Sequence, residues 1–303
     1  VYDFTGIITP SGNDTFPTND TLYITRNTAI QSLPYSEDFN TDDANWYDNT
    51  RRGEQRFQWG AVAYRNGPDG EGSSWYYTLD NGGNQFGRAE VESPIFDFTN
   101  QVNPTLSFDM KMQVDGNVYG PTFRVEYSTN GSSWSLLGDE STATWYGVAP
   151  TYANTGFGSP NTSSTVTLDS WTHVELELCD LANEPCVMFR ISAYDYFNQN
   201  SGDSAYFAFD NFEITSDTSI DVAISEFYPT NTTRCNGFRT NERPRIIIQN
   251  NSCQPTQVPI RFEVSGPVTA TFLDTTPTVN PYSCYSYNLD TTLDLSAIGD
   301  YDF

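Results

Sequence analysis

Short runs in which apolar and polar residues alternate recur along this chain, and that period of two constrains its fold more than any other feature. A strand sends successive side chains to opposite faces. The runs Leu106-Ser107-Phe108-Asp109-Met110-Lys111-Met112-Gln113-Val114 and Phe123-Arg124-Val125-Glu126-Tyr127-Ser128 therefore each predict a strand with one buried and one wet face. The pattern returns at Val174-Glu175-Leu176-Glu177-Leu178, at Val187-Met188-Phe189-Arg190-Ile191 and from Phe207 to Ile214, with Asn-Gly, Gly-Gly and Pro-containing turns between the runs. Tyr, Phe, Thr, Asn, Ser and Gly are abundant and helix formers scarce, so the expected class is all-β, built as a β-sandwich.

A length of 303 residues suffices for two domains with separate cores. A second style of strand begins at Asp221-Val222-Ala223-Ile224 and continues through Arg245-Ile246-Ile247-Ile248 and Ile260-Arg261-Phe262-Glu263-Val264, spaced as in an immunoglobulin-type sandwich. The short polar Thr215-Ser216-Asp217-Thr218-Ser219 between the two styles suits a compact hinge.

Tyr301-Asp302-Phe303 repeats Tyr2-Asp3-Phe4, which predicts an internal repeat. The segment from Leu293 onward reads as stopping inside a strand, before the last strands of its sandwich. Tyr2 to Thr9 and Thr21 to Thr25 read as a closing hairpin without a partner of its own. The expected domains are therefore residues 1–30 as closing strands of a preceding immunoglobulin-like domain, 31–216 as a first sandwich, and 217–303 as an immunoglobulin-like domain lacking its last strands. Such a chain is one period of a tandem repeat, joined end to end to neighbouring repeats or subunits either covalently or by strand donation. Val1 is neither an initiator Met nor part of a signal peptide, so a translation start is not expected there.

Charge narrows the partners. With 14 basic against 39 acidic residues the formal charge is −25, which disfavours nucleic acid and anionic lipid, and no apolar run approaches the roughly 20 residues of a membrane span. A single His and five Cys whose spacings fit no metal motif argue against a zinc cluster, so disulfides are expected. Cys179 and Cys186 flank a six-residue loop between apolar runs and are read as a bridge. Cys235, Cys253 and Cys284 leave one thiol over, with Cys284 unassigned. Disulfides place the chain in an oxidising, extracellular compartment.

Residues 35 to 214 resemble the MAM-like jelly-roll family. The likeness runs through Tyr35-Ser36-Glu37-Asp38-Phe39, Trp59, Trp75-Tyr76-Tyr77, Val91-Glu92-Ser93-Pro94-Ile95-Phe96-Asp97, Tyr127-Ser128-Thr129-Asn130-Gly131, Trp171-Thr172-His173-Val174 and Phe209-Asp210-Asn211-Phe212. Residues 221–303 are similar to CARDB-type immunoglobulin-like modules, through Asp221-Val222-Ala223-Ile224, Ile248-Gln249-Asn250-Asn251 and Asp294 to Tyr301. The pairing resembles large surface adhesins exported by the type IX secretion route, which implies a jelly roll joined to an immunoglobulin-like sandwich on the cell surface. The first resemblance also implies a calcium ion tying the first strand to the last through Glu37, Asp38, Asp210 and Asn211, with oxygen ligands of the kind calcium prefers. O-glycans are implied at Thr21, Ser204, Thr275 and Thr291. Among the Asn-x-Ser/Thr sequons, Asn130 and Asn161 are candidate sites, and Asn13, Asn19, Asn231 and Asn250 also match the pattern.

His173 sits in an apparent strand with no nucleophile pattern nearby, and acidic residues are too common for any pair to be singled out, so no catalytic residue is assigned. Surface glycans are a candidate ligand, with Trp145, Tyr146, Tyr152 and Phe157 in a polar Gly/Pro-rich loop as the residues that could stack on them. The function expected is a non-enzymatic structural and adhesive repeat of a surface adhesin or filament. The alternative is a carbohydrate-binding module pair of a secreted hydrolase.

Overall fold

The computed structural model describes residues 2–7, 21–26, 30–49, 56–61, 72–79, 87–114, 122–139, 141–148, 166–195, 205–217, 219–229 and 238–303. Its strands in chain order are β1 (Tyr2–Ile7), β2 (Thr21–Arg26), β3 (Ile30–Gln31), β4 (Tyr35–Glu37), β5 (Tyr47–Asp48), β6 (Phe57–Gly60), β7 (Ser74–Leu79), β8 (Gly87–Glu92), β9 (Ile95–Phe96) and β10 (Asn103–Val114). They continue with β11 (Thr122–Ser128), β12 (Ser135–Leu136), β13 (Val166–Glu177), β14 (Met188–Asp195), β15 (Ala205–Asp217), β16 (Val222–Tyr228), β17 (Arg245–Asn250), β18 (Pro259–Val264), β19 (Ala270–Thr275) and β20 (Cys284–Asn288). Among the described residues a short helix, α1 (Thr144–Val148), lies between β12 and β13.

Two compact units divide the chain, the first made of Val1–Asn100 with Pro104–Ser216 and the second of Gln101–Asn103 with Asp217–Phe303. In the first unit a sheet ordered β13-β10-β15-β7-β6, with β4 also on β15, faces a sheet ordered β12-β11-β14-β8-β5. This is a jelly-roll sandwich. Alternation builds its core: Phe123 and Val125 of β11 and Phe189, Ile191 and Ala193 of β14 meet Phe207, Phe209 and Phe212 of β15. Rings lock across the layers, Phe123 stacked on Phe207 at 4.6 Å and Phe189 against Phe212 at 6.0 Å. Trp46 and Phe39 close one end of this aromatic core, Trp46 meeting Phe212 edge-on at 4.7 Å.

Strands β1 and β2 pair antiparallel from Tyr2↔Arg26 to Ile7↔Thr21 and form a two-stranded sheet of their own. The expected hairpin is present at nearly the expected bounds.

The second unit is a smaller sandwich, with sheets β16-β17-β20 and β18-β19. Ile246, Ile248, Phe262, Val264, Tyr287, Leu289, Leu293 and Leu295 form its core. Asn250, wholly buried, organises one end: its amide donates to the carbonyls of Gln254, Val279 and Asn280, and its oxygen accepts from Ser252. Asn250 is therefore a structural side chain and not a glycan acceptor. Leu273, Ile298 and Ile224 are largely exposed, at 77%, 101% and 65%.

Candidate functional site

The face of the five-stranded sheet turned away from the core carries the densest chemistry in the first unit. On β8 the alternation that buries Ala89 and Val91 sends Arg88, Glu90 and Glu92 to this face; on β11 it sends Arg124 and Glu126, and on β14 Arg190, Ser192 and Tyr194. The register places Glu126 opposite Arg190, and Arg190 opposite Glu92, so opposite charges meet across strands.

Arg190, only 2% exposed, is the hub. Its Nε donates to Glu126 Oε2 at 3.0 Å, while Nη1 lies 3.3 Å from Glu90 and 3.9 Å from Glu92. Arg88 Nη2 and Ser192 Oγ also donate to Glu126, at 2.9 and 2.8 Å, and Arg88 pairs with Glu90 as well. Asn49 and Tyr47 donate to Glu92 from β5 and its flank. Burial by itself would raise the Glu126 carboxyl. The hydrogen bond and charge of Arg190, then Arg88 and Ser192, outweigh it and hold Glu126 below the usual carboxylate range.

Aromatic rings border this ionic floor. The Arg190 guanidinium lies 4.1 Å from the Trp134 ring centroid, and those of Arg88 and Arg124 lie 4.4 and 4.2 Å from that of Tyr194. Arg124 differs from its neighbours. It has no carboxylate partner among the described residues, and its buried Nε–H has no acceptor there. Such a face offers one unmatched cation and partly exposed rings to a hydroxyl- or carboxylate-bearing ligand.

Several expected sites are placed differently. Trp145 and Tyr146 do not line an open loop: both are buried, in α1, with Trp145 stacked on Phe108 at 5.7 Å. The reason is the apolar area of the indole, which is satisfied by the core more fully than by a polar loop. Tyr152 and Phe157 lie outside the described residues. Cys186 is a free thiol while Cys179 is disulfide-bonded, so the expected bridge between these two is not formed. Cys179 opens a 3-10 turn, Cys179–Leu181, and its sulfur is committed to another bridge, while Cys186 lies beyond that turn just before β14. Cys253 is disulfide-bonded, Cys284 is free and exposed, and Cys235 lies outside the described residues.

Pairing of β4 with β15 brings Glu37 opposite Phe212, close in sequence to Asp210 and Asn211 as expected. The four residues are engaged locally: Glu37 accepts from Phe39 N, Asp38 from Asn40 N and Asp210 from Asn211 N. Asn211, at φ 48°, points its amide to Asp109, which also pairs with His173 at 3.0 Å. Among the described residues no three His, Cys, Asp or Glu side chains are grouped to hold a metal ion; calcium also takes amide and backbone oxygens, so its binding at this place stays a proposal. Thr275, Thr291 and Asn130 are exposed. Ser204 and Asn161 lie outside the described residues, and of Thr21 only the backbone is described.

Nothing in the sequence reading singled out Arg88, Arg124 or Arg190. The available signal was that an acidic chain spends scarce arginines on the polar positions of three central strands.

The units define a pair of β-sandwich modules, one carrying an ion-paired polar face. No protein-family model matches the chain, and no curated protein matches it in sequence. Among solved structures it is similar to the K1 cleaved adhesin domain of Lys-gingipain from Porphyromonas gingivalis W83, at a TM-score of 0.37 and 14% identity over 61% of this chain and 99% of that one. It is also similar to the CBM22-2 xylan-binding domain of Paenibacillus barcinonensis Xyn10C, at a TM-score of 0.33 and 14% identity over 60% and 99% of the two chains. A third likeness, to the Endo-D glycoside hydrolase domain of Streptococcus pneumoniae R6, has a TM-score of 0.31 and 11% identity over 84% of this chain and 38% of that one.

Proposed function

We propose that this chain is an extracellular, non-enzymatic structural and adhesive module of a cell-surface adhesin or filament, repeated end to end. The observation that carries this reading is the β1–β2 hairpin, whose strands pair, among the described residues, only with each other. Disulfide-bonded Cys179 and Cys253 support an oxidising compartment. Glu126, the most heavily hydrogen-bonded carboxylate of the polar face, is held ionised, which suits an acceptor and not a general acid. No helix among the described residues is long and apolar enough to cross a membrane.

The mass of the native polypeptide, denatured and reduced, tests the reading. A polypeptide many times longer than these 303 residues supports a covalent stalk, and chains of this length in long assemblies support a filament. A monomer of this length in its native setting overturns both.

The polar face favours a second reading, a carbohydrate-binding module whose saccharide contacts Arg124 and Tyr194. On a saccharide array, selective retention of one polysaccharide that falls at least about tenfold with Arg124→Ala or Tyr194→Ala supports it. Retention unchanged by both substitutions removes the face from consideration.

A further inference from the structure

Among the described residues the two sheets of the second unit do not use all of their edges, and the hydrogen bonding of β18 shows which edge is open. Residues of even number bond toward β19: Val258 accepts from Thr276 N at 2.9 Å, in the same register that sets Val264 opposite Ala270. In an antiparallel strand the backbone groups of successive residues point to opposite edges. Arg261, Glu263 and Ser265 therefore direct N–H and C=O to the side away from β19.

That edge is occupied at one position. Ser265 and Asp302 exchange both backbone hydrogen bonds, Ser265 N to Asp302 O at 2.9 Å and Asp302 N to Ser265 O at 3.0 Å. Asp302 is the centre of Tyr301-Asp302-Phe303, the triplet repeated as Tyr2-Asp3-Phe4. Among the described residues nothing pairs with the same edge at Glu263 or Arg261. Phe303 shows where the last residue of the triplet goes. Its ring lies 6.1 Å from Phe262 and 5.9 Å from Phe227, and it stays 41% exposed. Nearby, Ile260 and Phe262 line an apolar pocket with Pro244, Ile246, Tyr287 and Leu289.

We infer that the open edge of β18 is the acceptor for the β1–β2 hairpin of a second copy of this chain, an inference that rests on the end-to-end reading above. The shared triplet sets the register. With Asp3 in the place of Asp302, Asp3 pairs with Ser265, Thr5 with Glu263 and Ile7 with Arg261, while Phe4 falls opposite Val264 and Gly6 opposite Phe262. Directly opposed residues share a face of a sheet. Val264 and Phe262 are buried, so Phe4 and Gly6 take core-side positions, and the β1–β2 register adds Ile24 opposite Phe4 and Leu22 opposite Gly6. The polar Asp3 and Thr5 fall on the outer side with exposed Arg261 and Glu263. A slip by one residue would reverse this, placing Asp3 and Thr5 against the core. The acceptor sheet then reads β19-β18-β1-β2, with the donor triplet displacing Tyr301-Asp302-Phe303 from Ser265.

Amide hydrogen exchange and sedimentation on the full chain test this. The unmodified chain is expected to gain mass with concentration, and its Arg261 and Glu263 amides to slow at least about tenfold as it does. Phe4→Asp should abolish both effects while circular dichroism stays unchanged. A chain extended after Phe303 by the residues of 5–26 should protect the same two amides at every concentration and take up no second copy. Association that survives Phe4→Asp overturns the inference while leaving end-to-end assembly standing through another surface. An unmodified chain that stays monomeric, or an extended chain whose Arg261 and Glu263 amides exchange unprotected, also overturns it.

Discussion

Glu126 concentrates the energetics of the polar face in one side chain, since Arg88, Arg190 and Ser192 all donate to it. Its folded-state carboxyl is depressed, so its contribution is fully present above the unfolded value of about 4.3 and is lost as pH falls through the folded value. Denaturant unfolding from pH 7 to 2 should show this as a loss of stability on the acid side that Glu126→Gln flattens. At pH 7, Glu126→Ala leaves Arg190 buried with fewer partners and should destabilise by about 3–5 kcal/mol. Trp145 makes the opposite kind of contribution, with no charge and full burial. Trp145→Ala should lower stability by about 3–5 kcal/mol in the same assay and leave saccharide retention unchanged, provided binding is measured where the variant is folded. Asn250→Ala removes the donor from three carbonyls in the second unit and should cost about 1–3 kcal/mol.

Strands were far more legible than sites. The runs at Leu106, Phe123, Phe207 and Ile260 fall within β10, β11, β15 and β18, because alternation is imposed by strand geometry and is written directly into residue order. The helix α1 escaped because five residues carry too short a period to read, and its position is set by Trp145 reaching Phe108 from a distant part of the chain. The same limit hid the polar face. Arg88, Glu126 and Arg190 stand at positions that alternation marks as wet, and only the pairing order β11-β14-β8 reveals that they bury one another. The aromatic-loop expectation failed for a related reason: it depended on which residues meet across elements, which local pattern does not encode.

At the scale of the whole molecule, cysteine chemistry gives a direct check on compartment and architecture. Alkylation of the native chain should label Cys284, which is exposed, and spare Cys179 and Cys253 until a reductant is added. Reduction should then lower the thermal midpoint, by an amount equivalent to about 2–4 kcal/mol. The charge of −25 predicts a second dependence. Copies of so acidic a chain repel at low ionic strength, so self-association should strengthen from 0.01 to 0.5 M salt as the screening length shrinks from about 30 Å to a few ångströms. The donor hairpin and the acceptor edge of β18 are different surfaces, so a contact between them is heterologous and grows as an open series wherever its rotation does not close a ring. Growth through such a contact has a direction. A copy that can accept but not donate becomes a terminator, and mean length in a mixed population then follows the inverse of the terminators' share, so that a minor fraction of defective chains would shorten every assembly they join.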